Sequence, residues 1–215
     1  MESPFRATDV TLQGPNFALI ETLRWTGQEL SRLDLHLARL QRGVQALGWQ
    51  VDIRHAENLL KNAVSPQKPA RLRLTCLATG ELKVSASEMP AAKAKWRCAL
   101  SPLVLDESDP FLTIKSTHRP LYEAARQNMP ADLDEVILTN TRGEVCDGTI
   151  TTLFFDHGAG MCTPPLTSGL LPGILRQDLL NQGLCSEAVL LAQDLPHVLL
   201  WLGNALRGLI TAEFN

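Results

Sequence analysis

Lys115 has a position in the sequence that could support covalent chemistry. It directly follows the apolar run Phe111–Ile114, so its amine would start from a partly buried position at the end of a strand. Burial lowers the pKa of a lysine and makes its amine a nucleophile toward carbonyl groups. The alternative is a strand-end lysine whose ammonium group reaches water and takes part in no reaction.

Asp147 is the acidic residue whose surroundings suggest a chemical role. It lies between a turn and a strongly strand-forming run, where Val145, Cys146 and Ile150 would partly dehydrate its carboxylate. A carboxylate in such a place needs a cation or an N–H group as partner. Because Asp-Gly is also a common turn sequence, a purely structural turn residue is the alternative.

Arg39 is a candidate for binding a phosphate group. It lies on a predicted helix, three residues after His36. A guanidinium group can make two parallel hydrogen bonds to a phosphate. The alternative is a solvated basic face that also includes Arg32 and Arg42.

A second candidate for phosphate binding is the start of the predicted helix that follows Gly173. The backbone N–H groups of Ile174 and Leu175, together with the helix dipole, could hold an anion there. Asn204 could place an amide beside the same phosphate. An unoccupied helix start and a simple turn are the respective alternatives.

Periodicity predicts the elements that position these residues. Leucines and a valine recur at steps of four and three over residues 33–47, which predicts a helix at 32–47 after a strand at 18–25. Further helices are predicted at 52–63, 121–128 and 174–182, and strands at 71–78, 81–87, 95–105, 134–140 and 145–155. The tail from residue 187 is predicted to close as a strand and then a helix.

The order of these elements favours an α+β (mixed α/β) fold. Neither half shows a regular βαβ alternation, which argues against a doubly wound sheet. The acidic stretch at 106–110, which ends in proline, is the preferred boundary. We therefore expect a small N-terminal domain at 1–105 and a C-terminal domain at 106–215.

Composition excludes several classes of function. The 215 residues carry 20 Lys and Arg against 23 Asp and Glu, for a net charge of -3, which argues against a nucleic-acid partner. No stretch approaches the roughly 18 uninterrupted apolar residues of a membrane-spanning helix, so no membrane partner is expected. The 5 cysteines show no CxxC pair, which predicts no metal site and favours a reducing, cytoplasmic setting.

Five ordered segments carry a family resemblance. They are HLARL at 36–40, IKSTHR at 114–119, GEVCDGTITTLFF at 143–155, TPPLTSGLLPGILR at 163–176 and GNALRG at 203–208. With these segments the chain resembles the class IV aminotransferases, a pyridoxal-phosphate family that includes branched-chain and D-amino-acid aminotransferases and aminodeoxychorismate lyase. The resemblance implies a small N-terminal α+β domain, a larger C-terminal domain of mixed, β-barrel-like structure, and a homodimer.

The resemblance also implies a role for each candidate residue. Lys115 would bind pyridoxal 5'-phosphate covalently through its amine. Arg39, the backbone N–H groups of Ile174 and Leu175, and Asn204 would bind the cofactor's phosphate. Asp147 would face the pyridine nitrogen and keep it protonated, so that the cationic ring can accept electrons from the substrate.

The ending GNALRG is more similar to lyases of the family than to branched-chain aminotransferases. The expected reaction on a small-molecule amine is therefore conversion of 4-amino-4-deoxychorismate to 4-aminobenzoate and pyruvate, with aminotransferase activity toward branched-chain or other amino acids as the alternative. Arg119 and Arg207 are candidates for binding a substrate carboxylate. Asp147 and Thr152 stand where the family usually has Glu and Asn, which leaves a non-catalytic relative that keeps the fold as a further alternative.

Overall fold

The computed structural model describes residues 16–65 and 67–215, together with Phe5 and Gly14. Its helices are α1 Leu33–Ala46, α2 Ile53–Asn62, α3 Pro120–Gln127 and α4 Ile174–Asn181. Its strands are β1 Ala18–Trp25, β2 Ala70–Leu77, β3 Leu82–Ser87, β4 Lys95–Leu105, β5 Glu135–Asn140, β6 Val145–Gly148, β7 Thr152–Asp156, β8 Cys162–Thr163, β9 Ser186–Glu187, β10 Leu199–Asn204 and β11 Gly208–Phe214. The described residues form two compact units, one up to Ala91 with Ile114–His118 and one of Ala92–Thr113 with Arg119–Asn215.

The first unit is built on a three-stranded antiparallel sheet in the order β1-β2-β3. β1 pairs with β2 over its whole length, from Ala18 opposite Leu77 to Trp25 opposite Ala70. α1 packs against β1, and α2 contacts α1, β2 and β3. The start of α2 is fixed by Asp52, whose carboxylate accepts a hydrogen bond from the N–H of Arg54 at 2.9 Å.

The second unit is an eight-stranded mixed sheet in the order β10-β11-β4-β5-β6-β7-β8-β9. β10 pairs with β7 as well as with β11, so the sheet from β10 round to β7 closes on itself. Its main core contains Ile137, Leu153, Phe155 and Leu202, all fully buried. Side chains fill the interior of a small closed sheet in this way, and the α+β fold class is confirmed.

Most element predictions are confirmed to within one or two residues. The run at 145–155 is two strands, β6 and β7, rather than one, and the strand predicted from residue 187 is wrong because only Ser186–Glu187 of β9 pairs there. The C-terminal helix is also wrong. The chain from Ala192 to His197 makes only a 3-10 turn, and the apolar residues after it form β10 and β11. Leu200 and Leu202 alternate with less buried neighbours and pair with Phe155 and Leu153 of β7. The alternation of buried and less buried residues along β10 depends on pairing with β7, which lies more than 40 residues away in the sequence. The apolar run of β10 alone does not reveal this partner.

No single boundary in the sequence separates the two compact units, because each unit contains two separate segments of the chain. β4 precedes the boundary predicted after residue 105, yet it pairs with β11 and β5 of the second unit. Residues 114–118, which follow that boundary, belong to the first unit. The division into folding domains at 1–105 and 106–215 stays a prediction.

Neither a membrane-spanning helix nor a metal-binding cluster is present among the described residues. None of their helices combines the length and apolar character needed to cross a membrane. In the same residues, no group of three or more His, Cys, Asp or Glu side chains is arranged to hold a metal ion.

Candidate active site

Lys115 lies beside β1 in the first unit. The N–H of Ile20 donates to the Lys115 carbonyl at 2.9 Å, and the N–H of Thr117 donates to the Ala18 carbonyl at 2.8 Å. Ser116 pairs with Leu19 in antiparallel fashion between these two bonds. The backbone of Lys115 is therefore fixed on both sides, while its side chain is half-buried.

Arg39 lies on the buried face of α1, where it is only 6% exposed. Its Nε donates to Oε1 of Glu21 at 2.8 Å, and its Nη2 donates to Oε2 at 2.6 Å. His36, one turn earlier on α1, places its Nδ1 2.6 Å from the same Oε2. Glu21 thus holds the guanidinium in a fork of two hydrogen bonds and orients the imidazole beside it.

The charges of this cluster explain its protonation states. Burial raises the pKa of Glu21, but the charge and hydrogen bonds of Arg39, together with His36, outweigh that effect and hold the pKa at about 2. Burial lowers the pKa of His36, and the positive charges of Arg39 and Lys115 lower it further, against the opposing effect of Glu21. The cluster is a buried ion pair of Arg39 and Glu21 beside a neutral histidine.

Glu21 is the functional candidate that sequence reasoning missed. It lies in the middle of β1, and all but one of its near neighbours on that strand are buried. A charged residue inside such a run is rarely buried unless it has a charged partner. A glutamate within a buried strand therefore indicates that a charged partner exists, but the sequence does not show which residue is the partner. His36 and Arg39 are likewise more buried than a boundary residue or a solvated basic face would be.

In the second unit, one junction brings together most of the other candidates. Asp147 of β6 lies opposite Thr152 of β7, and Thr152 in turn lies opposite Gly203 of β10. A Cβ atom built on Gly173 would lie 2.5 Å from Oγ1 of Thr152, so the start of α4 reaches the same place. Asp147, the α4 N-terminus and the end of β10 therefore meet around Thr152.

The α4 N-terminus is built to present backbone groups. Gly173 is its N-cap residue and, among the described residues, no side chain caps it. Uncapped N–H groups at this end of a helix carry partial positive charge and favour anions. A Cβ on Gly203 would lie 2.7 Å from a methyl group of Leu175, so glycine at that position lets β10 approach the helix closely.

Both ends of the Asn204 side-chain amide make hydrogen bonds to nearby backbone groups. Its Nδ2 donates to the Ile150 carbonyl at 3.1 Å, and its Oδ1 accepts from the N–H groups of Leu206 and Arg207 at 3.1 and 2.9 Å. The side chain thereby ties the β10–β11 turn to the connection between β6 and β7. Gly203, the residue before Asn204, is the one that lies against Leu175 of α4, and Asn204 itself fixes the surrounding backbone.

Asp147 is buried, and Tyr122 of α3 lies within its electrostatic reach. Burial raises the pKa of the Tyr122 hydroxyl, and the negative charge of Asp147 raises it further. That hydroxyl is buried and has no hydrogen-bond partner among the described residues. A buried polar atom of this kind marks a place that suits a polar ligand.

The two candidate substrate arginines occupy different surroundings. The guanidinium carbon of Arg119 lies 4.4 Å from the centroid of the Tyr122 ring, and its Nη2 donates to the Thr149 carbonyl at 2.9 Å. The guanidinium of Arg207 lies 5.3 Å from the Trp96 ring. Arg119 is therefore the one attached to the β6–β7 connection that follows Asp147.

The chain is similar to known proteins over most of its length. A family model described as amino-transferase class IV matches residues 18–213. A provisionally named aminodeoxychorismate lyase of Schizosaccharomyces pombe is 31% identical over 180 residues, which cover 79% of this chain and 75% of that protein.

Solved structures show the same fold. A provisionally named amino-acid aminotransferase from Mesorhizobium loti superposes with a TM-score of 0.88 at 39% identity, covering 93% of this chain and 100% of that one. The 4-amino-4-deoxychorismate lyase of Pseudomonas aeruginosa superposes with a TM-score of 0.77 at 21% identity, covering 92% and 82%, and at that identity it shows the fold alone. The chain belongs to the class IV aminotransferase family.

Proposed function

We propose that this protein is a pyridoxal-phosphate enzyme that converts 4-amino-4-deoxychorismate into 4-aminobenzoate and pyruvate. The name of the relative from Schizosaccharomyces pombe supports this reaction. The observation that carries the proposal is the junction in the second unit, where a buried carboxylate, Asp147, lies close to the uncapped start of α4. A carboxylate and a helix N-terminus complement the two charged ends of pyridoxal phosphate, its ring nitrogen and its phosphate.

The residues present suit this cofactor. Lys115 supplies an amine that can bind the cofactor's aldehyde covalently, and Arg39 and the N–H groups of Ile174 and Leu175 supply donors for its phosphate. Asp147 supplies the acceptor for a protonated ring nitrogen. When bound, the cofactor supplies an electron sink for the bonding electrons of the substrate's C–H bond.

Each residue then has a definable task. The Lys115 amine would accept the proton from the substrate carbon next to the substrate amine, as general base. Asp147 keeps the ring nitrogen protonated, and Glu21 holds Arg39 in a fixed orientation. The electron pair of that C–H bond would then expel the enol-pyruvyl group by breaking its C–O bond to the ring. With the proton taken up by Lys115 the departing group becomes pyruvate, and the ring becomes 4-aminobenzoate.

Arg119 is our first choice for the substrate carboxylate, and Arg207 is the second. The Thr149 carbonyl and the Tyr122 ring hold the guanidinium of Arg119 from two sides. An arginine oriented in advance loses less conformational freedom when it binds a carboxylate. Arg207 lies against Trp96 and is less directly connected to Asp147.

The reaction is tested by adding 4-amino-4-deoxychorismate to the purified protein with excess cofactor and measuring pyruvate and 4-aminobenzoate. The proposal requires the two products in equal amounts. Transfer of amino groups from amino acids to keto acids, measured in parallel, without any release of pyruvate would overturn the lyase assignment.

An aminotransferase is the second candidate function. The observation that favours it is the similarity to the Mesorhizobium loti protein, which extends over the whole of that chain at 39% identity. The same fold and cofactor residues serve both reactions, because the fate of the substrate after proton removal distinguishes them. A non-catalytic relative would show neither activity and no change in near-visible absorbance when cofactor and amine are added.

The buried ion pair of the first unit gives a prediction for Glu21→Gln. Breaking a buried pair costs about 3 kcal/mol or more, so the free energy of unfolding at pH 7 should fall by about that amount. Because the pKa of Glu21 is lowered from 4.5 to about 2, the pair stabilises the native state fully above pH 4.5 and is lost as the pH falls toward 2. The variant should therefore lose less stability than the native protein over this interval, as measured by urea denaturation at several pH values.

A matched substitution, Glu57→Gln, provides the control for Glu21→Gln. Glu57 pairs with Lys61 on the exposed surface of α2, where such a pair contributes about 0.5 kcal/mol or less. Equal effects of the two substitutions would contradict the assignment of Glu21 as the residue that holds Arg39.

We also propose that the enzyme is cytoplasmic and homodimeric. The five cysteines are free and buried, as in proteins of a reducing compartment. The homodimer is what the resemblance to the class IV aminotransferases implies. Sedimentation at a monomer mass would overturn the dimer.

A further inference from the structure

Glu135 is a fully buried carboxylate at the start of β5 for which the proposed reaction has no direct use. Its side chain is 0% exposed. Oε2 accepts from the N–H of Ile150 at 3.1 Å and from the hydroxyl of Thr151 at 2.9 Å. Oε1 accepts from the hydroxyl of Thr149 and, at 3.3 Å, from Nη1 of Arg126. One carboxylate thus binds three consecutive residues.

These three residues are the whole connection between β6 and β7. Asp147 precedes the connection by two residues, and Thr152 follows it directly. A Cβ on Gly148 would collide with the Thr151 hydroxyl and would lie 2.9 Å from Cγ of Glu135. Glycine at 148 therefore leaves the space that the carboxylate and its partners occupy.

The backbone carbonyls of the connection hold two candidate active-site residues. The Thr149 carbonyl accepts from Arg119, and the Ile150 carbonyl accepts from Asn204. Asn204 in turn accepts from the N–H groups of Leu206 and Arg207. The bonds of Glu135 and those of the active-site residues therefore attach to the same three residues, 149–151.

We infer that Glu135 is a positioning residue, which fixes the 149–151 connection and through it sets the positions of Arg119, Asn204 and Asp147. The inference rests on the proposed function, which gives these three residues their roles in the active site. The donor count explains why a carboxylate is needed. Two buried hydroxyls and the N–H of Ile150 require acceptors, and a carboxylate offers two acceptor oxygens.

Glu135→Gln tests this without changing the size of the side chain. Its amide offers one oxygen, and its NH2 group would face donors, so Glu135→Gln should release the connection. Two milder variants keep the test valid if Glu135→Gln does not fold. Thr151→Val removes one hydroxyl from the network, and Thr151→Ser retains it.

The first measurement is amide hydrogen exchange on the full chain without cofactor. Glu135→Gln and Thr151→Val should speed exchange about tenfold at Ile150 and also at Leu206 and Arg207, whose N–H groups depend on Asn204. Thr151→Ser should restore the native rates, and amides of β1 and β2 should not change. Faster exchange confined to the connection, with Leu206 and Arg207 unaffected, would overturn the inference.

The second measurement is the dissociation constant of pyridoxal phosphate, from the absorbance change on titration. Glu135→Gln and Thr151→Val should bind about tenfold more weakly than the native protein, and Thr151→Ser should not. If the native protein binds pyridoxal phosphate, and Glu135→Gln and Thr151→Val bind it with the same affinity, the positioning role is contradicted. Absence of binding to the native protein would instead refute the proposed function, and the exchange result alone would then decide whether Glu135 positions Asn204.

Discussion

Lys115→Ala is expected to lower the rate of the proposed reaction by about 10,000-fold or more. The substitution removes the amine that binds the cofactor and the base that accepts the substrate proton, and general-base catalysis alone contributes about 100- to 10,000-fold. The backbone of residue 115 takes part in the β1 sheet through its carbonyl, which alanine retains. The fold should therefore persist while activity, measured as pyruvate release, is lost.

Lys61→Ala is the matched control for this prediction. Lys61 belongs to the same unit and pairs with Glu57 on an exposed face of α2, so its removal should leave the rate unchanged. A Lys115→Ala protein that keeps its circular dichroism and more than about one hundredth of the native rate would contradict the role of Lys115.

Asp147→Asn has the second-largest expected effect, a fall in kcat of about 10- to 100-fold. A hydrogen bond to a charged group contributes about 1.5–3 kcal/mol, and each 1.4 kcal/mol corresponds to a factor of ten. Asparagine has nearly the same size but cannot hold the ring nitrogen in its protonated form. Because Asn removes a buried charge, the free energy of unfolding should not fall enough to explain the loss.

Asp147→Glu separates the charge from the geometry. It restores the acid that the family usually has, one methylene longer, and we expect it to retain more activity than Asp147→Asn. An Asp147→Asn protein with an unchanged kcat would contradict the assignment of Asp147.

The elements with a strong local pattern could be predicted from the sequence. β1 and β4 lie at the predicted residues, and α1 and α4 begin and end within one residue of prediction. In each case the pattern of side chains along the element, or the glycine next to it, is enough to define the element. The C-terminal helix was wrong because β10 owes its burial to β7, and no local period in an apolar run encodes a distant partner.

The candidate site was predictable only in part, for the same reason. Motifs pointed to Lys115 and Asp147 because the family resemblance is carried by short local segments. Glu21 and Glu135 are defined by contacts made at long range in sequence, to Arg39 on α1 and to the β6–β7 connection. A buried acid inside an apolar strand indicates that a partner exists, but only the fold identifies it.

The central claim is that Lys115 binds pyridoxal phosphate covalently. It is tested most directly by incubating the purified protein with excess cofactor, reducing it with borohydride to make the linkage permanent, and mapping the modified peptide by mass spectrometry. We expect a pyridoxyl group on Lys115, and none on the same peptide of Lys115→Ala. A protein that carries no such group, or carries it only on other lysines, would contradict the claim.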